Sequence, residues 1–160
     1  MPELDVSTHI DAPPDNVWAL LADPTRMGEW SPECQRVTWR GRVQTPAVGA
    51  RFTGHNRNGW RRWNTVGKLV TYRTGEAVAW DVSFLKLAIA RWGYRIESDA
   101  DGKGCTVTES FLDKRGRLPK ALGPLARGVK DAEAHNKVGM AQTLAQIKSA
   151  AERAAAEAHR

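Results

Sequence analysis

Between Gln35 and Asp113 the chain reads as a succession of short alternating strands joined only by turns, and this constrains the fold more than any other feature. Strands joined by hairpins pair antiparallel, because a parallel pair needs a crossover of about a dozen residues or more. Val37 and Trp39 alternate with basic residues ahead of Gly41 and a long turn over Gln44–Gly49. Phe52, Gly54 and Asn56 lead into Asn58-Gly59, a strong hairpin dipeptide. Trp60–Tyr72 predicts one long, bent strand with Gly67 marking the bend or a bulge. Thr74-Gly75 turns the chain again. Val78, Trp80, Val82 and Phe84 then share one face at period two, as do Trp92, Tyr94 and Ile96. The turn formers of Asp99–Gly104 precede a last strand with Val107, Glu109 and Phe111 on one face.

The flanks complete the pattern. Val6, Thr8 and Ile10 make a first strand that stops at Ala12-Pro13-Pro14. Prolines suit a first helical turn, whose N–H groups lack intrahelical partners anyway. A short helix over Asn16–Ala22 ends at Asp23-Pro24, which starts a second short turn of helix through Met27. The loop Gly28–Cys34 carries Trp30, expected to be exposed near the rim of any interior space. The tail from about Leu118 reads as helical, regular from about Ala126. Val129, Ala132, Asn136, Met140, Thr143, Leu144 and Ile147 fall on one face in steps of three and four. The end, AAERAAAEAHR, is expected to fray past about Arg153. The expected architecture is α+β: a curved antiparallel sheet of about seven strands wrapped around one long C-terminal helix, with two short helices after strand 1. Residues 1–153 form one domain and 154–160 a frayed tail. A strongly twisted sheet of this size curls, and a curled sheet around one helix leaves space between them.

Composition narrows the function. With 160 residues, 26% of them charged and 41% hydrophobic, the chain can build a core without disulfides or structural metal. No apolar run approaches the ~18 residues of a membrane-spanning helix. The start, MPELDVSTHID, is acidic and lacks an apolar stretch, which predicts no secretory signal and a cytoplasmic location, with Cys34 and Cys105 as reduced thiols. Four histidines (His9, His55, His135, His159) are scattered without metal-ligand spacing, so no metal and no cofactor is expected. There is no Gly-rich phosphate loop and no nucleophile elbow. Charge is unevenly spread: residues 34–75 carry nine basic side chains and no acidic one. Such a stretch could meet an anionic partner such as nucleic acid. Its dispersed arginines read first as solvated strand faces.

One set of residues is familiar. Ile10-Asp11-Ala12-Pro13-Pro14-Asp15-Asn16-Val17-Trp18, the loop Asp23–Glu33, Arg62-Trp63, the strand around Trp80 and Gly139–Lys148 resemble the START-like, helix-grip superfamily (SRPBCC; polyketide cyclase/dehydrase and lipid transport). The resemblance spans about residues 4–150 and implies a cavity between sheet and C-terminal helix. Members of that superfamily bind lipids, polyketides or other apolar molecules there, and only some are enzymes.

Within such a frame the candidate site residues are Trp30, Phe52, Trp63, Trp80, Trp92, Tyr94, Glu109, Asn136 and Met140. The aromatics offer stacking walls, and the indoles one N–H each. Glu109 shares its strand face with apolar neighbours, so it needs a partner or stays protonated. That makes it a ligand anchor, or the catalytic candidate should the protein be an enzyme. Asn136 could present an amide from the helix. Asp81 falls on the opposite face from Trp80. The leading expectation is binding of an apolar or aromatic small molecule by a monomer or homodimer. The alternatives are a polyketide cyclase, aromatase or dehydratase pairing Glu109 with Arg51 or Arg95, and a nucleic-acid or other anionic partner for residues 34–75. The sheet's outer faces show no large apolar patch in the sequence.

Overall fold

The structure is a computed structural model and describes residues 3–116 and 128–160. Seven strands form one antiparallel sheet: β1 (Glu3–Ile10), β2 (Cys34–Arg40), β3 (Arg51–Asn58), β4 (Arg61–Arg73), β5 (Ala77–Phe84), β6 (Leu87–Ser98) and β7 (Cys105–Asp113). Their order is β1-β7-β6-β5-β4-β3-β2. The strands from β2 to β7 are a simple meander, as hairpin connections require, and β1 closes onto β7. Between β1 and β2 stand α1 (Pro14–Leu21) and a 3-10 helix (Pro24–Glu29). The chain finishes with α2 (Ala132–Ala158).

Local chemistry sets the helix boundaries. Pro14 occupies the first turn of α1, and Asp23 stops the next turn from continuing it. The Asp23 carboxylate accepts from the Thr25 backbone N–H and hydroxyl at 2.9 and 2.7 Å, which starts the 3-10 helix. α2 begins later than the periodicity predicts. Gly128 is left-handed (φ +72) and Asp131 is extended, so no helix can pass through them. Asp131 caps α2 by accepting from the Ala134 N–H at 3.0 Å. The expected start near Ala126 lies outside the described residues. At the other end α2 does not stop near Arg153. It continues to Ala158, with Ala155 buried.

Three register shifts bend the sheet, at Cys34/Arg36, Leu69/Thr71 and Val82/Ser83. The expected bulge at Gly67 is therefore placed two residues further on. Gly67 has another task. A methyl group there would come within 2.2 Å of the Phe52 ring, so the missing side chain lets that ring lie flat over β4. The first hairpin also shifts by one residue: Asn58 pairs with Arg61, and Gly59 and Trp60 make the turn. Phe84 ends β5 beside the hairpin turn, where it is exposed; the shift at Val82/Ser83 comes from an extra residue, Ile89, on β6.

The core lies between the concave sheet face and the two α-helices. Ile10, Val17, Leu21, Leu69, Val78, Val107, Leu144 and Ile147 are fully or almost fully buried. α2 packs on β1, α1 and the edge of β7. It presents Asn136, Met140, Thr143, Leu144, Ile147, Ala151 and Ala155, a face that matches its periodicity. Lys148 and Glu152 tie it to the first strand. The Lys148 ammonium donates to the His9 carbonyl and to Glu152 at 2.7 Å each, and Glu152 accepts from the Asp11 N–H at 2.9 Å.

Candidate functional site

The inner face of the sheet carries a row of aromatic rings. Trp39 meets Phe52 edge to face at 6.2 Å, Phe52 meets Trp80 at 5.9 Å, and Trp80 meets Tyr94 at 5.9 Å. The row follows from register, since Phe52 on β3, Trp80 on β5 and Tyr94 on β6 all alternate inward, and Gly67 on the intervening β4 leaves room for the Phe52 ring. It ends on a carboxyl. β6 and β7 pair so that Tyr94 lies directly opposite Glu109. The Tyr94 hydroxyl donates to Glu109 Oε1 at 2.8 Å and lies 3.7 Å from Met27 Sδ.

Glu109 is 3% exposed. Burial pushes its carboxyl up to about 8, and the Tyr94 hydrogen bond only partly offsets this. At neutral pH it is mostly the neutral acid. Oε1 already accepts from Tyr94, so the acid proton sits on Oε2. Among the described residues, Oε2 is buried without a hydrogen-bond partner, and so is the indole Nε1 of Trp30. Buried polar groups are nearly always paired. The Tyr94 hydroxyl is itself held far above its usual range by burial and by the adjacent carboxyl. The Cys34 thiol is pushed up to about 11 by burial, so it remains a thiol and not a nucleophile. Cys34 and Cys105 are both free and buried.

The expected site residues divide into groups. Phe52, Trp80, Tyr94 and Glu109 come together as described. Trp92 and Phe111 form a second, half-buried inner pair with ring centroids 4.7 Å apart. Trp63 stands on the inner face of β4, half-buried, on the part of that strand that extends past β5. Asn136 and Met140 are buried on the N-terminal half of α2. Trp30 is not exposed as expected. Its ring is buried, with the Arg26 guanidinium 5.3 Å above it. It forms one wall of an open cleft of about 470 Å³, shared with Glu29, Ser31, Pro32, Gln142 and Gln146. A smaller cleft of about 170 Å³ lies on the other flank of α2, beside Val6 and Thr8.

Arg51 and Arg95, the expected partners for a catalytic Glu109, are exposed on the outer face of the sheet, away from it. Asp81 is on that outer face too, held by Arg91 and Lys114 at 2.7 and 3.0 Å. Eight of the nine basic residues from Arg36 to Arg73 are exposed, and Arg61 is half-buried. His55 reaches the Thr38 hydroxyl at 3.2 Å, His9 pairs with Asp99 at 2.8 Å, and His135 with Glu33 at 2.7 Å. The sequence reading missed Met27 and Cys34. Nothing in their local sequence marks them as neighbours of Tyr94. The Tyr94–Glu109 pair, by contrast, could have been counted from the hairpin that joins Ser98 to Cys105.

An open antiparallel sheet gripping one long C-terminal helix defines the helix-grip class. The chain belongs to the polyketide cyclase / dehydrase and lipid transport family, whose model matches residues 1–152. It is similar to the Polyketide_cyc-like protein Cgl2372 from Corynebacterium glutamicum, at 26% identity over 96% of this chain and 92% of that one, with a TM-score of 0.58. Protein CV1439 from Chromobacterium violaceum shares the fold at 14% identity over 95% and 99% of the two chains, with a TM-score of 0.68. So does the ginseng (Panax ginseng) major latex-like protein 151, at 15% identity over 96% and 97%, TM-score 0.64. None of the curated protein sequences matches. No helix among the described residues is long and apolar enough to cross a membrane.

Proposed function

We propose that this protein binds an apolar or aromatic small molecule against the inner face of its sheet, with the Glu109 carboxyl and the Trp30 indole as polar anchors. The observation that carries this reading is that two buried polar atoms, Glu109 Oε2 and Trp30 Nε1, have no partner among the described residues. Leaving such groups unpaired costs about 1–3 kcal/mol each. A ligand group that hydrogen-bonded to either atom would recover that atom's share of the cost. The aromatic row from Phe52 to Tyr94 supplies the apolar contact. The family's description, which includes lipid transport, fits the same reading.

A second reading, catalysis of the cyclase or dehydratase kind, draws on one observation. Glu109 titrates at about 8, and an acid matched to neutral pH is suited to proton transfer. Its expected arginine partners stand on the outer face, so the binding reading is preferred.

Native mass spectrometry of freshly purified protein, with solvent extraction of anything carried along, tests the proposal. A discrete added mass that weakens in Glu109→Gln supports it. The reading fails if extracts hold no organic molecule and a panel of apolar ligands neither shifts the melting temperature nor quenches tryptophan fluorescence.

A further inference from the structure

The β3–β4 and β5–β6 hairpins turn at the same end of the sheet, because they are alternate turns of one antiparallel meander. Both tips hold apolar side chains in water. Trp60 is 80% exposed, Leu85 79% and Leu87 57%, and Phe84 beside them is exposed as well. The second tip is built against local preference. Leu85 and Lys86 both have left-handed backbone, with φ of 48 and 68. A two-residue turn of that hand normally takes Asn-Gly. Leu85 is thus displayed at a turn position that would form more easily with a small polar residue, and Leu87 stands next to the turn at the start of β6.

The charged side chains on the two tips themselves are all basic, and the acid beside them, Glu33, whose carbonyl accepts from the Arg57 N–H, is paired with His135. Arg57 and Arg62 flank Trp60, and Lys86 sits between Leu85 and Leu87. All three are exposed, and none is paired with a carboxylate among the described residues. The Arg61 guanidinium stacks on the Trp60 ring at 4.5 Å and braces it. The acids nearest this end on the outer face and on β7 are already occupied: Asp81 by Arg91 and Lys114, Asp113 by Arg115. The half-buried inner aromatics Trp63, Trp92 and Phe111 also lie toward this end.

Protruding Trp and Leu side chains ringed by Arg and Lys have the chemistry of a membrane-interface anchor. An anionic bilayer attracts each basic side chain near its surface. A second copy of this chain, docked by the same face about a two-fold axis, would bring these cations against each other. Nucleic acid would leave the leucines in water.

We propose that this end of the sheet docks on anionic bilayers. Trp60, Leu85 and Leu87 enter the headgroup layer, and Arg57, Arg62 and Lys86 lie against its negative charge. The apolar molecule then passes between the bilayer and the inner face without crossing water. Only this last step rests on the binding function proposed above. The docking itself needs no ligand, so the two fail separately.

Flotation of the full chain with vesicles tests it. The protein should float with vesicles of phosphatidylcholine and phosphatidylglycerol in equal parts. It should stay behind with phosphatidylcholine alone, and high salt should release it. A variant carrying Leu85→Ser and Leu87→Ser should lose about tenfold or more in partitioning. Arg57→Gln and Arg62→Gln should each lose about fivefold. These side chains are exposed, and an unchanged near-UV circular dichroism spectrum verifies that the variants fold. Three results overturn the proposal: no flotation with the anionic vesicles, flotation indifferent to the tip substitutions, or a dimer or a salt-sensitive RNA complex that those substitutions dissolve while vesicles bind neither form.

Discussion

At the scale of single residues, Glu109 sets the chemistry. Unfolded, its carboxyl titrates at 4.5, and in the fold at about 8. Between those values the folded protein holds a proton that the unfolded chain has released. Its contribution to stability therefore falls as pH rises through that window, by up to about 1.4 kcal/mol per pH unit. Glu109→Gln keeps an acceptor for Tyr94 and removes the titration. Denaturant melts from pH 5 to pH 9 should show a wild-type decline that the variant largely lacks. A variant with the same slope as wild type would mean that the carboxyl is solvated. Tyr94→Phe removes the hydroxyl that donates to Glu109 Oε1. Both carboxyl oxygens then lack a partner, which should cost about 1–3 kcal/mol in chemical melts. Because that hydrogen bond lowers the Glu109 pKa, the pH-dependent decline should still begin near the unfolded value but extend to higher pH.

At the scale of elements, the test falls on the contact between β3 and β4. Gly67→Ala forces the Phe52 ring off β4 and disturbs the aromatic row above it. A loss of about 1–3 kcal/mol is expected, with a changed near-UV circular dichroism spectrum. Asp131→Ala removes the cap of α2 and should cost about 1 kcal/mol, with that spectrum unchanged. Much of this level was legible in the sequence. Hairpin turns and period-two alternation dictate the meander, and the buried face of α2 follows its three-and-four spacing. The inward turn of Glu109 follows from Val107 and Phe111 on either side. What stayed hidden depends on contacts between distant segments. Trp30 sits in a polar loop, and packing against core residues distant in sequence buries it. Gly67 looks like a bend until the Phe52 ring is placed over it. Phe84 ends a perfect alternation, and only its place beside the hairpin turn leaves it exposed.

At the scale of the whole molecule, a ligand held only by the folded state adds its binding free energy to stability. At a free concentration one hundred times its Kd, the gain is about 2.7 kcal/mol. A matching upward shift in melting temperature, absent in Glu109→Gln, would link the buried carboxyl to binding by a route independent of mass spectrometry. The sheet order has a consequence of another kind. β1 has a single neighbour in the sheet, β7, and Ser7 bonds to Thr108 across 101 residues of chain. The first strand leaves the ribosome with nothing to pair with until the seventh has been made, and α2, which covers it, is made later still. Closure of so long a loop comes late and slowly. Val6 and Ile10 are exposed during that wait, which makes the nascent chain, rather than the finished protein, the form in most need of a chaperone.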